Sequence, residues 1–78
     1  MNREELRKRL ESEGFNKTIY SLDGDCSFEG YCLDYSYGTW RVYYFERGTT
    51  YDEDLFKNEE DACLSFYNRI SSDAVAKK

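Results

Sequence analysis

The side chains with the capacity for chemistry in this chain are carboxylates, tyrosines and three cysteines; histidine is absent. That absence removes the commonest general base, and with it the Ser-His and Cys-His nucleophile pairs. The five glycines stand singly at turns, so no glycine-rich phosphate loop is present. A catalytic reading is left with a carboxylate pair or an unaided cysteine. Among 16 acidic residues a pair arises easily by chance and carries little weight. A two-layer domain of this length also seldom encloses a substrate pocket, which takes on the order of several hundred cubic ångströms. The expectation is a binding protein rather than an enzyme, with no cofactor and no metal.

Cys26, Cys32 and Cys63 fit no zinc or redox spacing, and an odd count argues against a closed disulfide framework. Cys26 and Cys32 are placed to meet across a hairpin as a regulatory disulfide. Two reduced thiols are the expected state, with Cys63 in the core. The stretch Asp23-Gly24-Asp25-Cys26-Ser27-Phe28-Glu29 has its glycine too early and too few carboxylates for an EF-hand, and reads as a solvated turn.

The net charge of −5 is concentrated. Glu46, Asp52, Glu53, Asp54, Glu59, Glu60 and Asp61 face only Arg47 and Lys57, so residues 46–61 alone account for −5. No basic stripe offers itself to phosphates, which argues against direct nucleic-acid binding. The balance suits a basic partner, or solubility alone. No apolar run approaches the roughly 20 residues that span a bilayer, and the charged N-terminus does not read as a signal peptide. The expected setting is cytoplasmic, away from membrane.

The elements that must position these residues follow from caps, periodicity and turns. Asn2 and Glu5 form a capping-box pair, Leu6 and Leu10 recur at helical spacing, and Gly14 is placed to stop the helix, predicting a helix over 3–13. Residues 19–22 form a short extended piece. Alternation over 29–35 puts Tyr31, Leu33 and Tyr35 on one face. Residues 39–45 are almost wholly β-branched or aromatic, with Trp40, Val42 and Tyr44 on one face and Arg41, Tyr43 and Phe45 on the other. A further strand is expected from Thr49 to about Phe56. Asn58 then caps a helix whose apolar face carries Ala62, Cys63, Phe66, Tyr67 and Ile70, ending near residues 71–72.

The expected fold is therefore α+β: a two-layer sandwich of N-terminal helix, three- or four-stranded antiparallel meander and C-terminal helix. Residues 1–72 make a single domain and 73–78 a frayed tail. Both helices lie on one sheet face, leaving the other open.

Two surface features remain. Glu59, Glu60 and Asp61 suit a helix N-terminus in any case. Asp52-Glu53-Asp54 disfavours the strand it sits on, and marks either an edge guarded against aggregation or a docking surface for basic groups. The 18% aromatic content is high, and with Trp40, Val42 and Tyr44 turned inward, Tyr43 and Phe45 face outward, where one of the two registers of the next strand adds Tyr51. Aromatics beside carboxylates resemble an interface anchor with a charged rim.

The segments Tyr20-Ser21-Leu22-Asp23-Gly24, Trp40-Arg41-Val42-Tyr43-Tyr44-Phe45-Glu46-Arg47-Gly48 and Glu60-Asp61-Ala62-Cys63, with Phe66 after them, resemble small bacterial immunity proteins of polymorphic-toxin and contact-dependent growth inhibition systems. The resemblance runs from the first helix to about residue 70 and rests mostly on strand and turn vocabulary; Phe45 stands where the family pattern has serine. It implies an antidote that covers the active site or substrate surface of a cognate toxin, many of which are nucleases with basic clefts. Asp52, Asp54, Glu59, Glu60 and Asp61 would then steer association, while Tyr43 and Phe45 anchor, with Tyr51 beside them. The domain would act as a monomer or weak homodimer. Two other classes stay open: an acidic adaptor or inhibitor, including a nucleic-acid mimic, of another bacterial or phage protein; and a small enzyme, which would need a deep polar cleft.

Overall fold

The first helix begins where the sequence sets its cap. In the computed structural model, which describes residues 1–24 and 29–72, Asn2 Oδ1 accepts from the Glu5 amide at 2.8 Å while the Asn2 amide donates to Glu5 Oε1 at 2.9 Å. Helix α1 spans Arg3–Ser12. It ends in paired reverse bonds, Phe15 N to Leu10 O at 3.0 Å and Gly14 N to Glu11 O at 3.2 Å, closed by Gly14 at φ 80°. A left-handed residue at that position satisfies the last helical carbonyls, and glycine adopts it without strain.

A single 3₁₀ turn, Lys17–Ile19, leads into strand β1, Tyr20–Ser21. Strands β2 (Gly30–Ser36), β3 (Thr39–Glu46) and β4 (Thr49–Phe56) follow, then helix α2 (Glu59–Ser71). The sheet order is β1-β2-β3-β4. β2, β3 and β4 form the expected antiparallel meander, but β1 pairs parallel to β2, so the sheet is mixed. A hairpin would reverse the chain between these strands. Here Tyr20 and Ser21 instead run in the same direction as their partners Tyr31 and Cys32.

Both hairpins turn on two residues with positive φ, Tyr37-Gly38 (53° and 75°) and Arg47-Gly48 (52° and 77°). That geometry matches the right-handed strand twist. The register places Tyr31, Leu33 and Tyr35 beside Tyr44, Val42 and Trp40 on the helix-side face, as alternation predicts.

The core is one cluster on that face. Leu6 and Leu10 of α1, Phe15, Tyr20 and Leu22, Leu33 and Val42 of the sheet, and Ala62, Cys63, Phe66 and Ile70 of α2 are all buried in it. Phe66 is central, meeting the rings of Tyr20 and Tyr31 edge-on at 6.3 and 6.4 Å. α2 is capped by Asn58, whose Oδ1 accepts from the Asp61 amide at 2.8 Å.

The opposite face is less bare than expected. Cys32 is fully buried and Tyr43 is only 6% exposed. The Arg41 guanidinium lies 5.2 Å from the centre of the Tyr43 ring and bonds Asp34 Oδ2 through Nη2 and Nε at 2.6 and 3.2 Å. Its Nη1 reaches Glu53 at 3.0 Å. A guanidinium over a ring, with two donors on one carboxylate oxygen, covers apolar surface that alternation turned outward.

Gly24 closes the β1–β2 connection against this network. Its amide donates to Leu33 O at 3.1 Å, its φ is +77°, and a Cβ there would stand 2.5 Å from Asp34 Oδ1. Asp34 is held by Arg41 and cannot swing aside freely. Gly24→Ala should therefore lower stability by about 1–3 kcal/mol, read as a drop in denaturant midpoint at unchanged slope.

Cys63 is a buried free thiol, whereas Cys32 is disulfide-bonded, against the expectation of reduced thiols throughout. An odd count excludes the pairing of all three, not a single bridge. Cys26 and the rest of the segment 25–28 lie outside the described residues, as does the expected tail 73–78.

Burial pushes the Cys63 thiol up from its ordinary 9 to about 11, aided by the neighbouring Glu59 charge. Because the folded value is raised, the native state holds the proton longer than the unfolded chain does. This group's contribution is complete below about pH 9 and is lost as pH rises toward 11. Burial also raises the Tyr20 and Tyr43 phenols, with the same sign. Denaturant midpoints should hold steady to about pH 9 and then fall, and Cys63→Ala should flatten part of that decline.

Candidate functional site

The acidic run on β4 has a local explanation that composition did not reveal. Asp52 adopts φ 54° at a bulge, where the β3–β4 register shifts between Val42 and Tyr44. Aspartate is among the few residues that tolerate this left-handed conformation. Glu53 pairs with Arg41 on the outer face, and Asp54 pairs with Arg69 of α2. The strand tolerates its three acids because one turns a bulge and two have cationic partners. Exposed pairs of this kind contribute only about 0–1 kcal/mol each, so they permit the strand rather than drive it.

β4 is the sheet edge, and every residue on it except Phe56 is exposed. Between it and α2 runs an open groove of about 1090 Å³. Its floor is the part of the helix-side sheet face that carries Tyr31, Tyr44 and Phe56. Its strand wall carries Asp52, Glu53 and Asp54, and its helix wall Asp61, Leu64, Ser65, Asn68, Arg69 and Ser72. Those helix positions follow the 3.6-residue period on the flank of the core stripe. Tyr31 and Tyr44 meet edge-on at 5.1 Å, and Tyr51 lies directly across from Tyr44. The three strands thus place three tyrosines in a row on one face. Leu64 and Tyr51, 52% and 48% exposed, leave apolar surface at the groove margin.

The eight residues expected to contact a partner do not form one patch. Asp52, Asp54 and Asp61 come together in the groove, with Tyr51 next to it. Phe45 lies on the opposite face, half-buried and across from Thr50. Tyr43 shares that face but is buried under Arg41, which corrects its assignment as an outward anchor. Glu59 is occupied elsewhere: its Oε2 accepts from the Arg3 amide at 2.7 Å, tying α2 to the start of α1. Glu60 is exposed on the first turn of α2 and does not line the groove.

The sequence reading missed Tyr44 and Tyr31, which it assigned to the core face. It did so because alternation reports which face a residue takes and not how far a helix covers that face. It also missed Leu64 and Arg69, for which the helical spacing from Asp61 was an available signal.

A second, smaller hollow of about 270 Å³ lies by α1 and β1. Its charges are internally balanced, Arg7 with Asp23 at 3.2 Å and Lys17 with Glu11 at 3.3 Å. Among the described residues no group of three or more Cys, Asp or Glu is arranged to hold a metal ion. No helix among them is long and apolar enough to cross a membrane.

No protein-family model, curated protein or solved structure matches the chain.

Proposed function

We propose that this domain is a protein-binding antidote that neutralises a cognate bacterial toxin, of the nuclease class, by seating part of the toxin's basic substrate surface on the groove between β4 and α2. The observation that carries the reading is the groove itself. It is open, floored by tyrosines and walled by Asp52, Asp54 and Asp61 against the single cation Arg69, itself paired to Asp54. Tyrosines supply large contact area at low conformational cost, and a carboxylate rim attracts and orients a cationic partner. The resemblance of the strand and turn segments to immunity proteins supplies the biological setting.

The proposal moves the anchors from Tyr43 and Phe45 to Tyr44 and Tyr51. Co-expression of the tagged domain with the toxin encoded by the neighbouring gene tests it. The toxin should be retained and its activity silenced, with association slowing as salt rises. A neighbouring toxin that passes through unretained and stays active would overturn the antidote reading, and capture of a different enzyme would favour the acidic inhibitor instead.

A further inference from the structure

β4 closes one side of the sheet, and among the described residues nothing pairs with its outer edge. The strand is eight residues long and exposed along all but its last residue. An edge of that length offers a row of unpaired amide and carbonyl groups, which is a template for another strand. The opposite edge, β1, has only two residues and offers no comparable template.

Charge selects the occupant. Symmetric antiparallel pairing of two copies of β4 about its midpoint would set Asp52 against Glu53 and Tyr51 against Asp54. Like charges directly opposite one another destabilise a strand pair, so a second copy is disfavoured. A neutral apolar strand would cover Asp52, which has no cationic partner among the described residues, without compensation. A cationic strand meets the carboxylates. Asp54 lies on the helix-side face, in register with Val42, and Glu53 reaches Arg41 on the other. Asp52, at the bulge, has no ion pair among the described residues. Alternate residues of an added strand would therefore find a carboxylate on either face, with Tyr51 and Leu55, 48% and 62% exposed, giving apolar cover between.

We propose that β4 receives an extended, lysine- or arginine-bearing strand of the partner protein, which adds to the sheet through main-chain hydrogen bonds. The bulge at Asp52 divides the edge, and the uninterrupted stretch 53–56 is where the added strand registers. This inference rests on the partner-binding reading above for its biological setting, but its test needs no toxin.

The test is amide hydrogen exchange by NMR on the full chain, with the synthetic peptide Lys-Val-Lys-Val-Lys-Val at millimolar concentration. Two controls accompany it: the same peptide N-methylated at every amide, and its Glu-for-Lys counterpart. The cationic peptide should slow the exchange of β4 amides by about tenfold or more and leave β1 unchanged, and neither control should do so. Strand addition is overturned if the N-methylated peptide binds as well with no protection of β4, which is side-chain attraction alone. It is equally overturned by protection from the Glu peptide, by protection that grows with protein concentration in the absence of peptide, or by no protection from any peptide. Peptide protection together with failure to capture the toxin would sink the antidote reading and leave strand addition standing. A captured toxin whose complex leaves β4 amides unprotected would do the reverse.

Discussion

Phe66→Ala should cost about 3–5 kcal/mol of unfolding free energy, which is a large part of what a chain of this length has. Stabilities of about 0.05–0.15 kcal/mol per residue put the whole domain at only about 4–12 kcal/mol. Phe66 has no exposed surface and is among the largest side chains so enclosed. It joins α2 to both strands on its floor, through the rings of Tyr20 and Tyr31. Truncation removes that apolar contact and leaves a cavity between α2 and the sheet, which two short helices cannot readily collapse to fill. The expected result is a denaturant midpoint well below that of the parent, or a chain largely unfolded at room temperature. Phe66→Leu, which keeps most of the volume, should lose much less. A Phe66→Ala variant within 1 kcal/mol of the parent, on the order of a mild surface change, would mean that the core is not organised around this ring.

Neutralising the groove acids should act on a different quantity. Asp52→Asn combined with Asp61→Asn is expected to slow association with the toxin about tenfold at low ionic strength, with little change in the rate of release. Asparagine also tolerates the left-handed backbone at position 52, and an amide at position 61 keeps a polar partner for Asn58, so the fold should survive both changes. The deficit should shrink as salt is raised, because screening at about 0.15 M already reduces the reach of exposed charge to about 8 Å. Tyr51→Ala should instead leave association nearly unchanged and speed release about tenfold or more, as loss of an aromatic anchor does. Surface plasmon resonance across a salt series separates the two. Tyr43→Ala serves as a contrast: this ring is buried beneath Arg41, so its loss should appear in stability rather than in release. Equal rate effects from all of these variants would remove the distinction between steering acids and anchoring rings.

Much of the fold was legible because its signals are local. Asn2 with Glu5, Gly14, the positive-φ pairs ending in Gly38 and Gly48, and Asn58 each satisfy backbone groups within a few residues, so their effect can be read from a short window. Alternation over β2 and β3 and the helical spacing of Ala62, Cys63, Phe66 and Ile70 likewise report which side of an element is apolar. These features determined the helices, the three long strands and the composition of the core.

The parallel pairing of β1 was not legible, since Tyr20 and Ser21 give no signal about which way the chain returns after them. The site was only partly legible for a related reason. The acids of β4 and the aromatic surplus are plain in the chain, yet Tyr43 and Tyr44 are adjacent tyrosines in one strand with opposite fates. Tyr43 is buried, with a cation from its own strand over its ring, and that cation is held there by Asp34 on β2 and Glu53 on β4. Tyr44 lies on the floor of the groove between α2 and β4. By itself the sequence determined which residues turn toward the helices. Only the tertiary structure decided how much of that face the helices cover, because coverage depends on where distant elements come to rest rather than on the period of any one of them.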